Sequence, residues 1–111
     1  MDLSPTQDTK VFPKSIIVPN KNLEEIPIPS DPTYVSFIDF ANNPIKSFSN
    51  LPQLKNLEKI IGDNTLIDTF EGVVEQPYLS ILSLVNTPIS KRKYFILMAL
   101  IAFGYSLKVI N

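Results

Sequence analysis

Residues 35 to 48 read VSFIDFANNPIKSF, with apolar side chains at Val35, Ile38, Phe40, Ile45 and Phe48 and a polar one, Asn43, inside that series. Apolar residues two apart, as Ile38 and Phe40 are, suit one face of a short strand, and the wider spacing that follows suits a turn and a return segment. The arrangement comes back at Leu79, Leu82, Leu84, Thr87 and Ile89. Between these two copies, Leu57, Ile60, Thr65, Ile67 and Phe70 keep the pattern, with Gly62 where an apolar residue is expected. Before them, Ile16, Val18, Leu23 and Ile26 keep it, with Pro13 and Lys21 off pattern. The period is 22 residues: Asn20, Asn42, Asn64 and Asn86 form one column, and Leu23, Ile45, Ile67 and Ile89 another. A fixed period of this size signals a solenoid, because one unit cannot bury its own apolar edge and stacked units can.

Each unit is expected to be a strand, a turn and a return, and stacking then sets the strands side by side in a parallel sheet. The segments LPQLKNL (51 to 57) and VVEQPYL (73 to 79) join the units, and Leu51, Leu54 and Leu57 recur every third residue, which predicts a tight 3-10-like or extended return. The recurring phrases NNPIKS (42 to 47), NTLID (64 to 68) and NTPIS (86 to 90) mark the turn leaving each strand.

The pattern resembles the leucine-rich repeat family, in its 22-residue subclass, to which the regulatory subunit of protein phosphatase 1 belongs. That resemblance implies an α/β fold: a short leucine-rich repeat solenoid with a parallel strand face, an irregular or 3-10 convex side and a C-terminal cap helix. It also implies a ladder of polar side chains satisfying buried backbone groups at the turns. The ladder here is Asn43, Thr65 and Thr87, with Lys21 in the first unit, and these are read as structural because buried polar groups require partners. The alternative, that the column at Asn20, Asn42, Asn64 and Asn86 is a ligand-binding rail, ranks below it.

Length and composition narrow the function. A chain of 111 residues with 44% hydrophobic content is one ordinary domain, and 10 basic against 11 acidic residues give no net field to attract nucleic acid or an anionic membrane. No cysteine and no histidine are present, which removes disulfides, thiolate chemistry, ordinary zinc sites and the usual neutral-pH acid/base group. The N-terminus has neither a basic run nor an apolar run, so it does not read as a secretory signal. Six prolines fall within residues 1 to 32. The expected organisation is a flexible N-terminal arm over 1 to 12 and a repeat domain over 13 to 111, about four repeats with a cap at 90 to 111, in an intracellular protein, cytoplasmic or nuclear.

The tail, KRKYFILMALIAFGYSLKVIN, holds an apolar run over 94 to 103, short of the roughly 20 residues that span a bilayer. A helix from about Lys91 to Phe103, capped by Ser90 and ended by Gly104, followed by a strand with Leu107 and Ile110 at repeat positions, is the expected structure. Leu79 to Leu107 is 28 residues, one repeat plus a helical insertion. This resembles the C-terminal cap of the spliceosomal A-prime protein and the acidic nuclear phosphoproteins, keeping Tyr94, Leu107 and Ile110 but with Phe95 for the Arg and Asn111 for the Asp of that cap. A membrane tail anchor through 94 to 107 is a lesser alternative, and a membrane partner is not expected. The helix is apolar on both faces, which predicts self-association through Phe95, Ala99 and Ala102.

No catalytic constellation emerges. Gly62, Gly72 and Gly104 stand outside any Gly-rich loop, so no phosphate cradle forms. Asp39 and Asp63 read as solvated acids, and the KRK triplet at 91 to 93 as a solvated helix end ahead of a phosphate site or nuclear signal. An enzyme, a cofactor and direct nucleic-acid binding are therefore not expected. The side chains that alternate away from the core are Phe37, Asp39 and Ala41, then Lys59, Ile61 and Asp63, then Ile81, Ser83 and Val85. Phe37, Ile61, Ile81 and Val85 place apolar surface where no core needs it, so the concave face is expected to bind a protein partner. A ribonucleoprotein component of the A-prime kind is the alternative within binding proteins.

Overall fold

The computed structural model describes residues 14 to 111. The expected arm at 1 to 12, and Pro13, lie outside the described residues. Strands β1 (Lys14–Ile17), β2 (Val35–Asp39), β3 (Lys59–Ile61), β4 (Ile81–Ser83) and β5 (Val109–Ile110) form one parallel sheet in sequence order. Helix α1 (Phe95–Phe103) and a single 3-10 turn (Ile89–Lys91) lie between β4 and β5. The fold is a short parallel-strand solenoid with one C-terminal helix.

Register follows the repeat. Ser15 pairs with Phe37, Phe37 with Lys59, and Lys59 with Ile81, each step 22 residues, and Ile81 pairs with Val109 after the longer step of 28. The inward row is Ile16, Ile38, Ile60, Leu82 and Ile110. Its central members, Ile38, Ile60 and Leu82, are fully buried, each contributing about 1.5–3 kcal/mol of transfer free energy. Ile16 and Ile110 are only partly buried, because they lie on the outermost strands of the stack.

The asparagine column has a backbone cause. Asn20, Asn42, Asn64 and Asn86 all sit at φ between 56° and 59°, in the left-handed region. Each strand must turn sharply inward at that point, and asparagine is the side-chain-bearing residue that tolerates the conformation best. Immediately after each turn stands the polar ladder, buried as expected. Asn43 Nδ2, Thr65 Oγ1 and Thr87 Oγ1 each donate to the carbonyl three residues back, on Phe40, Gly62 and Leu84, at 2.9, 2.8 and 2.7 Å. Asn43 also reaches the preceding coil: its Oδ1 accepts from the N–H groups of Lys21 and Leu23, both at 2.9 Å, and its Nδ2 donates to Val18 O. Lys21 thus enters the ladder through its backbone rather than its side chain.

The returns are made of isolated turns, with Leu51 N–H bonded to Phe48 O, Leu57 to Leu54 O, Val73 to Phe70 O and Leu79 to Gln76 O. The every-third rhythm therefore records one turn after another rather than a continuous 3-10 helix. Gln76 occupies the place of Leu54 one repeat on and is fully buried. Its Oε1 accepts from Leu54 N–H at 2.9 Å and its Nε2 donates to Pro52 O at 2.8 Å, so it satisfies the neighbouring coil where a leucine could not. Gly62, the apparent flaw in the third repeat, is required by its neighbours. A Cβ there would stand 2.8 Å from Phe40 Cζ and 2.9 Å from Leu84 Cδ2, because these two larger residues already fill the space.

The cap departs from expectation in two respects. The helix begins at Phe95, not Lys91, and Ser90 does not cap it: Ser90 Oγ donates to Thr87 O and Ser90 N–H to Thr87 Oγ1, while extended backbone at Arg92 separates the 3-10 turn from α1. Gly104, at φ 115°, ends the helix as expected, its N–H bonding to Leu100 O. Second, the side chains expected to mediate self-association are core. Phe95, Ala99 and Phe103, spaced i, i+4 and i+8, turn inward and are buried, and Ala102 is partly buried. Phe95 stacks on Phe70 at 6.2 Å, Phe70 on Phe48 at 6.3 Å, and Phe103 meets both Phe48 and Phe70 edge-on at 5.1 and 5.6 Å. This phenylalanine cluster, closed by Phe40 against Phe48, gives α1 its seat.

Candidate functional site

Strand alternation sets one row of side chains on the face away from the core: Ser15, Phe37, Lys59, Ile81 and Val109. A second row runs Ile17, Asp39, Ile61 and Ser83. Ala41, Asp63 and Val85 lie just beyond the strands, where Asn42 N–H bonds to Asp63 O and Asn64 N–H to Val85 O. The nine side chains expected on this face are thus brought together on one surface, and among the described residues no helix or strand lies over it.

They do not all offer surface. Ala41 and Ser83 are buried, at 8% and 5% exposure. Asp39 and Asp63, expected as solvated acids, are half-buried and hold the turns. Asp39 Oδ1 accepts from Ala41 N–H at 3.0 Å, and Asp63 Oδ1 accepts from Ser83 Oγ at 2.7 Å and Val85 N–H at 2.9 Å. Each carboxylate answers backbone groups that the end of a strand leaves open, which is scaffold work. What remains accessible is Phe37, Lys59, Ile61 and Ile81, half-buried, and Val85, exposed. Lys59 Nζ stands 5.2 Å from the centroid of the Phe37 ring, a cation–π contact worth about 0.5–1 kcal/mol at an exposed site. It sets the Lys59 ammonium over the face of the Phe37 ring.

Three members of this face, Ser15, Ile17 and Val109, escape the sequence reading, and two of them are apolar. Ile17 and Val109 are exposed at 57% and 43%, and pairing puts Ile17 beside Asp39 and Val109 beside Ile81. Counting one period back from Asp39, or the longer step forward from Ile81, would have found them; they stand in the degraded first repeat and in the cap, where the pattern is weakest. Phe37, Ile61, Ile81, Val85, Ile17 and Val109 together carry apolar side chains across the face from one edge of the sheet to the other, interrupted by Lys59, Asp39 and Asp63.

Among the described residues, no group of three or more His, Cys, Asp or Glu side chains could hold a metal ion, and no helix is long and apolar enough to cross a membrane. No protein-family model and no curated protein matches the chain.

Proposed function

We propose that the chain is a leucine-rich repeat protein of the 22-residue subclass that acts without catalysis, holding a protein partner on its strand face. The family reading is supported by the 22-residue register, the left-handed asparagines and the ladder of Asn43, Thr65 and Thr87. The observation that carries the function is the apolar strand face itself. Large aliphatic and aromatic side chains stand on a sheet surface that contributes nothing to the core, with one ammonium seated on the Phe37 ring. Aromatic anchors ringed by polar groups are where binding energy concentrates in protein interfaces. The buried rows beneath keep the face rigid, so little ordering cost accompanies docking.

Affinity capture from extract of the source cell tests this reading. The unaltered chain and a control altered on the return side, Val74→Asp, should retain the same protein. Phe37→Asp combined with Ile81→Asp should retain at least roughly tenfold less, given more than about 1 kcal/mol per central anchor, with an unchanged circular dichroism spectrum. Equal capture by the doubly altered chain would remove the strand face from the reading.

A further inference from the structure

The outer side of α1 presents a second apolar surface, independent of the strand face. Ile96, Leu97 and Ile101 point away from the core, Ile101 at 65% exposure, and Tyr94 and Tyr105 flank them at the two ends of the helix, also exposed. Arg92, Lys93, Tyr94, Ile96, Leu97 and Leu100 border one shallow cleft, and Lys93 Nζ lies 5.4 Å from the centroid of the Tyr94 ring. Charge along the chain is sharply divided here. All 11 acidic residues precede position 76, and from there to residue 111 the charged side chains are Lys91, Arg92, Lys93 and Lys108 alone.

From this we infer that the outer face of α1 is a peripheral membrane contact, lying in the headgroup region of a bilayer rich in anionic phospholipid. Nine residues cannot span a bilayer, but a short helix can bury one apolar side at the headgroup boundary while adjacent cations meet lipid phosphates. Tyrosines at both ends suit that depth, with the ring in the apolar zone and the hydroxyl in water. Self-association across the same face is disfavoured by the charge pattern. A two-fold contact adds a second set of the same cations to the buried patch, and residues 90 to 111 carry no acidic side chain of their own to offset them. An anionic lipid surface supplies the complementary charge across its whole extent, and each Lys or Arg near it multiplies binding by about five.

Co-sedimentation of the full chain with vesicles of phosphatidylcholine, with and without a third of phosphatidylserine, tests the inference. Binding should require the anionic lipid. Neutralising the triplet (Lys91→Gln, Arg92→Gln, Lys93→Gln) should lower partitioning roughly a hundredfold. Ile96→Ser with Ile101→Ser should lower it roughly tenfold or more, since both side chains are exposed and their removal leaves the core intact. The strand-face pair Phe37→Asp and Ile81→Asp should bind vesicles normally, which separates this surface from the proposed partner site. The chain contains no tryptophan, so Leu97→Trp gives a single reporter whose emission should shift to the blue and be quenched by brominated lipid. Absence of binding to anionic vesicles overturns the inference, as does binding with an unshifted, unquenched reporter. An oligomer that Ile96→Ser with Ile101→Ser disperses would assign the face to a second copy. Retention on poly-glutamate without vesicle binding would assign it to an acidic protein.

Discussion

Asn42 and Asn43 are adjacent in the chain and make opposite demands. Asn42 is exposed and held at φ 59°, so what matters there is the backbone. Glycine adopts that conformation freely and should change stability by no more than about 0.5 kcal/mol, whereas valine, β-branched and forced left-handed, should cost about 1–2 kcal/mol. Asn43 is buried, and what matters is its amide. Its Oδ1 satisfies two N–H groups, those of Lys21 and Leu23, and its Nδ2 serves the carbonyls of Val18, Phe40 and Ala41 at 3.0, 2.9 and 3.1 Å. A buried group left without its partner costs about 1–3 kcal/mol. Lys21 stands in the exposed first coil, where water can replace part of the loss, so Asn43→Ala should cost about 2–4 kcal/mol in total. Asn43→Gly should cost at least as much. Urea unfolding followed by far-ultraviolet circular dichroism separates the cases, since an unchanged slope with a shifted midpoint reports stability alone. Equal effects of glycine at the two positions, or an Asn43→Ala midpoint near that of the unaltered chain, would refute both the turn and the ladder.

Three further outcomes follow from the packing. Ile60→Ala, in the inward row, should cost about 2–4 kcal/mol, and Ile61→Ala, on the strand face, much less; equal thermal shifts would break the register. Gly62→Ala gains about 0.4–1 kcal/mol from reduced unfolded-state entropy but must push aside Phe40 and Leu84 at a cost of about 1–3 kcal/mol, so it should destabilise on balance. Adding Phe40→Leu should relieve that overlap, seen as a smaller further loss in melting temperature than Phe40→Leu causes alone. Truncation after Ser90 removes Phe95 and Phe103 from their contacts with Phe48 and Phe70 and should give aggregation in light scattering; a monomeric, folded 1–90 fragment would mean that α1 is dispensable to the core.

The period alone made the architecture legible, because apolar residues two apart at Ile38 and Phe40, and again at Leu82 and Leu84, can bury the same edge only if the coils stack. The ladder of Asn43, Thr65 and Thr87 was legible through the family resemblance, which implies polar side chains at those turns. The reason for asparagine rather than another polar residue at 20, 42, 64 and 86 was not, since a left-handed backbone leaves no trace in a hydropathy pattern. Gly62 looked like a defect because the pattern records which positions face inward, not that Phe40 and Leu84 are large enough to fill a third. The inner face of α1 was misassigned because FILMALIAF is apolar all round, so periodicity could not say which side would meet Phe48 and Phe70. On the strand face, alternation placed the side chains but could not reveal that Asp63 is engaged by Ser83 Oγ and Val85 N–H, which depends on a neighbouring coil.

A photo-reactive amino acid placed at Ile81, at the centre of the strand face, and separately at Val74, on the return side, measures directly which surface meets a partner in the source cell. Irradiation should give a discrete heavier protein adduct from position 81, lost when Phe37→Asp is added, and none from position 74. Adducts from position 74 with none from position 81 would contradict a strand face that binds protein.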